Sequence, residues 1–280
     1  MTTLKIGSVG AEVRELQRKL KAKGYDIVAD GWFGENTRLA VVDFQQKNNL
    51  PAVGEAGPRT QLALLGANSP RTLTQADLLA AATLLSVSLA DVATVAQVES
   101  NGHGFGANAR PVILFERHVF HKQLIANGKP EDEVKALAER MPNIVNTARG
   151  GYAGGASEYA RFAIAAQIDE TSAIEACSWG MFQIMGYHWA RLGYTDAQEF
   201  RLHMQESEGE QLQAFCKFIL TDTALLKALQ SRKWADFARL YNGPAHKENL
   251  YDVKLARAYE QLSATYKTAE LQPEEESTNA

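Results

Sequence analysis

The sequence predicts an all-α protein in two parts, a small three-helix bundle followed by a larger, mostly helical domain. Apolar residues recur at helical spacing along most of the chain, and a glycine-bounded motif is repeated once near the N-terminus. A length of 280 residues suits one or two domains, and a hydrophobic content of 45% is enough for a substantial core.

The first 66 residues carry the internal repeat. Residues 31–37, Gly-Trp-Phe-Gly-Glu-Asn-Thr, recur as residues 54–60, Gly-Glu-Ala-Gly-Pro-Arg-Thr, with both glycines and the threonine retained. Each copy predicts a tight turn followed by the start of a helix. A further helix precedes the first copy, since apolar residues there share one face: Val13, Leu16 and Leu20. Residues 1–66 are therefore predicted to form a three-helix domain.

The remaining chain is predicted to be helical after a short linker. Residues 67–73 form this linker, and residues 74–267 form the larger domain. Within that domain residues 111–115, Pro-Val-Ile-Leu-Phe, suit either a short strand or the start of a helix. The acidic residues 268–280 are predicted to be a disordered tail.

Composition excludes several function classes. The net charge of −4 offers no basic surface for nucleic acid. The N-terminus lacks the basic and apolar regions of a signal peptide, so we expect synthesis in a cytosol. The most apolar span, residues 78–98, is interrupted by Asp91, which favours helices of a globular protein over membrane insertion. Two cysteines, Cys177 and Cys216, are too few for a disulfide framework and are expected to be buried apolar residues.

Glu99 is the strongest candidate for catalysis. It ends a predicted apolar helix and is followed by Asn101 and Gly102, which suit a helix stop. The negative end of the helix dipole and partial burial both favour a protonated carboxyl group. A carboxyl group that keeps its proton near neutral pH suits a general acid for glycosidic bond cleavage.

A second motif lies at residues 178–186, Ser-Trp-Gly-Met-Phe-Gln-Ile-Met-Gly. Gly180 would let the backbone approach a sugar ring closely, and Gln183 offers both a donor and an acceptor. Trp179 and Phe182 suit either stacking on a saccharide or packing in the core.

A third motif, Tyr241-Asn242-Gly243, ends a later predicted helix. Taken in this chain order, Glu99-Ser100, the Gly180 to Gln183 turn and Tyr241-Asn242-Gly243 resemble the N-acetylmuramidase domain of modular phage endolysins, in the lysozyme-like superfamily. The resemblance covers about residues 75 to 266. It implies a lysozyme-like fold with Glu99 as the catalytic acid. It also implies a substrate cleft lined by Ser178, Gln183, Tyr241 and Asn242.

Residues 1–66 resemble the peptidoglycan-binding module of bacterial and phage wall hydrolases. The matching features include Asp30-Gly31-Trp32-Phe33-Gly34, Thr37, and Gly57-Pro58-Arg59-Thr60. The resemblance implies that the loop from Asp30 to Thr37 borders the glycopeptide groove, with Asp30, Trp32, Phe33 and Thr37 as wall-binding residues. One of the two aromatic residues is expected to belong to the core. Val53 stands in the second copy where Asp30 stands in the first, so the two loops are not expected to bind equally.

Glu116 is a possible second carboxylate. Retention of anomeric configuration needs two carboxyl groups about 5 Å apart, and inversion about 6.5–9.5 Å. The alternative, which we favour, pairs Glu116 with Arg117 or Arg110 to hold the cleft wall. A mechanism with a single glutamate is also consistent with the sequence.

These patterns predict a peptidoglycan hydrolase that cleaves the β-1,4 bond between N-acetylmuramic acid and N-acetylglucosamine. We expect a monomer without cofactor or metal, whose partner is peptidoglycan. The resemblance implies release by a separate holin-type factor before action in the periplasm or cell wall. A lytic transglycosylase and a non-catalytic wall-binding protein are the alternatives. A zinc amidase is disfavoured because His118 and His121 lack a third ligand at recognisable spacing, and a thiol peptidase pairing Cys177 with His246 is disfavoured too.

Overall fold

The computed structural model describes residues 1–67, 69–100, 102–243 and 250–270, with side chains described as far as residue 267. Helices dominate, as predicted. Packing divides the chain into two compact units. The first comprises Met1–Val98 and Lys227–Ala280, and the second comprises Glu99–Leu226.

The first unit begins with the predicted three-helix bundle. Its helices are α1 (Ala11–Ala22), α2 (Glu35–Lys47) and α3 (Pro58–Leu64). Pro58 occupies the first helical position of α3, where its fixed φ and missing N–H cost nothing. The bundle core is apolar and includes Val13, Leu16, Leu20, Phe33, Val41 and Phe44.

The rest of the first unit is also helical. It contains α4 (Gln75–Leu85), most of α5 (Leu89–Glu99), the end of α12 (Thr223–Gln230), α13 (Trp234–Asn242) and α14 (Tyr251–Glu270). Because α14 continues to Glu270, residues 268–270 of the predicted tail are helical. The other residues of that tail lie outside the described part of the chain.

The three-helix bundle is in contact with later parts of its unit. Arg38 on α2 donates to Thr265 Oγ1 on α14 at 3.0 Å, and both residues are buried. Arg38 Nη2 also donates to Glu35 Oε1 at 2.6 Å. The side-chain oxygen of Gln75 on α4 accepts from the Ala52 amide at 3.1 Å. Packing therefore does not divide the chain at residues 67–73, and independent folding of residues 1–66 stays a prediction.

The second unit surrounds a small antiparallel sheet with helices. Its strands are β1 (Ile113–Phe115), β2 (Cys177–Trp179) and β3 (Ile184–Met185), in the order β1-β2-β3. Leu114 lies opposite Ser178, and Ser178 lies opposite Met185. Residues 113–115 are thus a strand, and the alternative of a helix start is wrong. The helices are α6 (Arg117–Ala126), α7 (Glu131–Arg140), α8 (Glu158–Ile168), α9 (Glu170–Glu175), α10 (Ala197–Glu206) and α11 (Glu208–Leu220).

Two features predicted from composition are the state of the cysteines and the length of the apolar helices. Cys177 and Cys216 are both buried and both carry free thiols, as expected. No single helix in the described ranges is long and apolar enough to cross a membrane. The helices α4 and α5 meet that criterion only when taken together, across a bend of 110°.

Candidate active site

Glu99 lies at the C-terminal end of α5, as predicted. Residues 90–96 of this helix are buried, whereas Glu99 itself is partly buried. The helix start is fixed by Asp91, whose carboxylate accepts from the Ser88 amide at 3.0 Å and from Arg232 Nε at 2.8 Å. The candidate acid therefore ends a helix whose first turn is anchored by an ion pair between the buried Asp91 and the partly exposed Arg232.

The segment that follows Glu99 is held by the first turn of α11. The Gly104 amide donates to Glu208 Oε1 at 2.8 Å, and Gln211 Nε2 donates to the Gly104 carbonyl at 3.3 Å. A Cβ at Gly104 would overlap the Gln211 side chain. Glycine at this position therefore lets the backbone approach the buried glutamine.

Gln211 also holds the turn at Gly180. Its Oε1 accepts from the Met181 amide at 2.8 Å, and Gly180 has a φ of +71°. A Cβ at Gly180 would again overlap Gln211, while the Gly180 amide donates to the Val112 carbonyl on the other side. One buried glutamine thus joins the segment after Glu99 to the second predicted motif.

Ser178 and Gln183 are brought together, as the motif predicts. Ser178 Oγ donates to Gln183 Oε1 at 2.7 Å, and Gln183 Nε2 donates to the Gly180 carbonyl at 2.8 Å. Gln183 adopts a left-handed conformation with a φ of +51°. Its amide thereby closes the turn, and a direct contact of this side chain with sugar stays a prediction.

Trp179 and Phe182 belong to the core. Trp179 is 1% exposed and donates through Nε1 to the Ile174 carbonyl at 3.0 Å. Phe182 is 4% exposed and stacks on Phe215 with ring centroids 4.4 Å apart. Of the two alternatives left open by the sequence, stacking on a saccharide is therefore wrong for both residues.

Glu116 lies just after β1, in a polar cluster. The Tyr152 hydroxyl donates to both of its carboxylate oxygens, at 3.0 and 2.9 Å, and His118 Nδ1 lies 3.2 Å from Oε2. Arg117 instead donates to backbone carbonyls, and the Arg110 guanidinium lies over the Tyr159 ring. The predicted pairing of Glu116 with an arginine is wrong, because both guanidinium groups have other partners.

Tyr152, which contacts Glu116, lies in a glycine-rich loop at residues 150–155. Arg117 Nε donates to the Ala148 carbonyl at 3.0 Å before Tyr152, and Glu158 Oε1 accepts from the Gly154 amide at 2.8 Å after it. Glu158 is fully buried, and Arg161 pairs with it at 2.7 Å. Burial opposes ionisation of Glu158, but hydrogen bonds from Gly154 and Arg161 outweigh it and hold the pKa of this carboxyl below its usual value.

Tyr241 and Asn242 end α13 in the first unit. The Tyr241 ring lies parallel to that of Phe237, with centroids 6.0 Å apart. Asn101 and His246, which the sequence also singled out, lie outside the described residues. The assignment of Tyr241 and Asn242 to the substrate cleft stays a prediction.

In the N-terminal bundle, a buried glutamine organises the first repeated loop. Gln17 Oε1 accepts from the Gly31 amide at 2.8 Å. Its Nε2 donates to the Trp32 carbonyl at 2.9 Å and to Thr37 Oγ1 at 3.1 Å. Asp30 Oδ1 accepts from the same amide nitrogen at 2.8 Å. The exposed Asp30 and the buried Thr37 thus both hold the loop through Gln17.

The second loop repeats this arrangement. Gln45 Oε1 accepts from the Gly54 amide at 2.9 Å. Its Nε2 donates to the Glu55 carbonyl at 2.8 Å and to Thr60 Oγ1 at 2.9 Å. Val53 stands where Asp30 stands in the first loop and has no side-chain acceptor, so the second loop lacks the bond that Asp30 accepts from Gln17.

The two aromatic residues of the first loop have different environments. Phe33 is fully buried in the bundle core, and Trp32 is 60% exposed. A Cβ on Gly34 would lie 3.1 Å from Cζ3 of the Trp32 ring, so the ring covers the glycine closely. As expected, one aromatic residue is core, and because that residue is Phe33, its predicted role in wall binding is wrong. Trp32 therefore provides an accessible ring that packs against Gly34.

Comparison with known proteins accounts for nearly the whole chain. The family model described as "N-acetylmuramidase" matches residues 88–263. The model described as "Putative peptidoglycan binding domain" matches residues 9–64. The chain belongs to the N-acetylmuramidase family of phage endolysins. Within this endolysin the peptidoglycan-binding region precedes the muramidase domain, as predicted.

A solved relative supports the same assignment for this muramidase. The crystal structure of the Burkholderia AP3 phage endolysin is 52% identical and superposes with a TM-score of 0.89, covering 94% of this chain and 100% of that one. A curated Bacillus licheniformis protein named "Probable N-acetylmuramoyl-L-alanine amidase" is 41% identical over 69 residues. The chain spans only 20% of that relative.

Sequence reasoning missed three residues that hold the candidate site residues and their neighbouring segments. They are Gln211 and Glu208, in the first turn of α11, and Tyr152, which contacts Glu116. A signal was available, because polar residues at apolar positions of an amphipathic helix are unusual. In the described part of the chain, one group of His and Glu side chains, on α10 and α11, has donor atoms close enough to share a metal ion.

Proposed function

We propose that this endolysin cleaves the β-1,4 bond between N-acetylmuramic acid and N-acetylglucosamine with Glu99 as the general acid. The observation that carries this proposal is the position of Glu99. It ends a buried helix inside the segment that matches the N-acetylmuramidase family. The segment after it is tied through Gln211 to the Gly180 turn.

In this mechanism Glu99 donates a proton to the oxygen that leaves as the bond breaks. A carboxyl group at the C-terminal end of a helix faces the unpaired carbonyls of the last turn, which disfavour a negative charge. The neutral, proton-bearing form is the one that the first step needs. Water then completes the reaction at the anomeric carbon.

Glu116 is the candidate for the second carboxylate. Its two oxygens accept from one tyrosine hydroxyl, and its side chain is 16% exposed, so it is held in one orientation with limited access to solvent. A carboxylate held in this way suits stabilisation of positive charge on the sugar, or activation of water. The single-glutamate mechanism predicts instead that Glu116→Gln retains most activity.

The bundle at residues 1–66 contributes affinity for the wall. Trp32 is the side chain of its first loop best placed to contact glycan, since its ring is exposed and lies over Gly34. Asp30 and Thr37 maintain the loop beneath it. Binding of the bundle to peptidoglycan raises the local concentration of bonds for the muramidase domain.

The product identifies the reaction. Purified peptidoglycan is digested and reduced with borohydride, and the fragments are analysed by mass spectrometry. A muramidase releases fragments that end in reducible N-acetylmuramic acid. Anhydro ends would establish the lytic transglycosylase, and release of peptides alone would refute glycosidic cleavage.

A matched pair of variants tests the acid. Glu99→Gln should abolish release of fragments and leave pelleting with peptidoglycan intact. Glu170→Gln, which removes an exposed carboxylate paired with Arg201, should be as active as the parent. Unchanged lysis by Glu99→Gln would refute the assignment and favour a wall-binding protein whose behaviour does not depend on this group.

The site of action follows from the family. As a phage endolysin the protein acts on the cell wall. We further propose that it acts as a monomer after a separate membrane-permeabilising protein of the holin type releases it. Lysis of cells from inside should then require co-expression of such a protein, and purified endolysin should sediment as one chain.

A further inference from the structure

We propose that His203, Glu206 and Glu210 form a binding site for a divalent transition-metal ion of the Zn²⁺ type, at the corner between α10 and α11. Each residue offers one donor atom, and the three atoms lie within 4.8 Å of one another. The proposed cleavage by Glu99 does not require this ion.

The donor set suits such an ion. One imidazole nitrogen and two carboxylate oxygens match the ligands that Zn²⁺ takes in proteins, and imidazole disfavours Ca²⁺ and Mg²⁺. His203 and Glu206 are three residues apart on α10 and therefore share a face. Glu210 comes from the first turn of α11, so an ion would join two consecutive helices.

The Glu210 carboxylate contacts His203 and does not complete the capping box of α11. Its amide donates to Ser207 Oγ at 3.1 Å, which caps α11. In a complete capping box its carboxylate would accept from the Ser207 amide, as Asp77 does for Thr74 at 2.8 Å on α4. Instead Glu210 Oε2 lies 2.8 Å from His203 Nδ1.

A buried hydroxyl beside the cluster supplies an independent indication. Tyr194 is 6% exposed, and its hydroxyl has no hydrogen-bond partner among the described residues. Its ring lies 5.3 Å from the His203 ring, and burial together with the charges of Glu210 and Glu199 raises the pKa of this phenol. A buried hydroxyl without a partner is costly, and water bound to a metal ion would satisfy it.

The charges around the cluster favour a cation. Glu199, Glu206 and Glu210 bring three carboxylates to this corner, where the Lys217 ammonium acts on Glu199 as an opposing charge. The Lys217 ammonium lies 4.0 Å from the centre of the Tyr194 ring and so contacts its face. A bound ion would take the place of the hydrogen between His203 Nδ1 and Glu210 Oε2, and the neutral imidazole would keep its proton on Nε2.

Binding at this corner would stabilise the turn that holds the active-site segments. Glu208 and Gln211 lie on the same first turn of α11 as Glu210 and bind Gly104 and the Met181 amide. Zn²⁺ should therefore raise the thermal midpoint of the protein.

The test is calorimetric titration of the chelator-treated full chain with ZnCl₂. We expect saturable binding of one ion per chain. His203→Ala and Glu210→Gln should each weaken binding about tenfold or more. Both side chains are about one-third exposed, and the cap of α11 uses the Glu210 amide, so both variants should fold.

Controls keep the result specific. His121→Ala removes a partly buried imidazole on α6 and should leave the affinity unchanged. Co²⁺ in place of Zn²⁺ should give visible absorption bands with the parent chain that His203→Ala lacks. Absence of saturable binding, equal affinity in His203→Ala, or loss of binding in His121→Ala would each overturn the proposal. None of these outcomes bears on cleavage by Glu99.

Discussion

Replacing Gln211 with methionine removes its amide but keeps the length of its side chain. In the parent, this amide accepts from the Met181 amide at 2.8 Å and donates to the carbonyls of Gly104 at 3.3 Å and Met204 at 2.9 Å. The residue is 1% exposed, so water cannot easily take over these bonds. The variant therefore isolates hydrogen bonding from packing.

The expected loss follows from the groups left without partners. A buried donor or acceptor that loses its partner costs about 1–3 kcal/mol, and three groups are affected here. Because carbonyl groups tolerate a lost bond better than amides do, we expect a total of about 3–6 kcal/mol. Activity on peptidoglycan should also fall, since Gln211 joins the segment after the proposed acid to the Gly180 turn.

The assay combines urea denaturation with amide hydrogen exchange at Met181. Gln211→Met should lower the free energy of unfolding and increase exchange at Met181, whose donor is now unpaired. Gln198→Met is the matched control, because this partly buried glutamine makes one bond, to Thr171 at 3.1 Å, and should cost under about 1 kcal/mol. A loss below about 1 kcal/mol for Gln211→Met, with unchanged exchange at Met181, would refute the reasoning.

Three further predictions concern the wall contact, the core and acid stability. Trp32→Ala should weaken co-sedimentation with peptidoglycan several-fold without changing the thermal midpoint, since its ring is 60% exposed. Phe33→Ala should instead destabilise the protein by about 3–5 kcal/mol in urea, because it leaves a cavity in the bundle core. The pKa of Glu158 is held below its usual value, so its contribution to stability is complete above the unfolded pKa and is lost as pH falls through the folded one. Glu158→Gln should therefore lower stability at neutral pH and flatten its decline in acid, as followed by thermal unfolding between pH 7 and pH 3.

Each of these predictions has an outcome that contradicts it. Full sedimentation by Trp32→Ala would place the wall contact elsewhere on the bundle. A stable Phe33→Ala variant would contradict its burial. If the thermal midpoints of Glu158→Gln and the parent fall by the same amount between pH 7 and pH 3, the ionised Glu158 carboxylate adds nothing to stability through its pairing with Arg161.

Local patterns were sufficient to predict much of the fold. The repeat of glycine and threonine predicted both loops of the N-terminal bundle, because positive φ and helix capping are properties of single residues. Apolar spacing likewise predicted that a helix ends at Glu99. The order of short motifs was enough for the resemblance to muramidases, which the family match confirms.

Environments that depend on distant residues were harder to predict. The stretch from Ser178 to Gln183 suggested a sugar-binding turn, yet its aromatic side chains are in the core and its glutamine closes the turn. Glu116 was expected to pair with a neighbouring arginine, but its hydroxyl partner, Tyr152, lies 36 residues further along the chain. Nearness in the sequence did not predict the partner of Glu116, because a charged side chain has several possible partners within reach in the fold.

The amino-acid sequence by itself determined the helical class, the repeated loops and the candidate acid Glu99, but not which of Trp32 and Phe33 belongs to the core. These depend on periodicity, turn chemistry and short motifs, which act within a few residues. Only the tertiary structure decided that Gln211 joins Gly104 to Met181, that Tyr152 orients Glu116, and that His203 meets Glu210. The reason is physical: a buried polar group must find a partner, and that partner is chosen by how helices and loops pack.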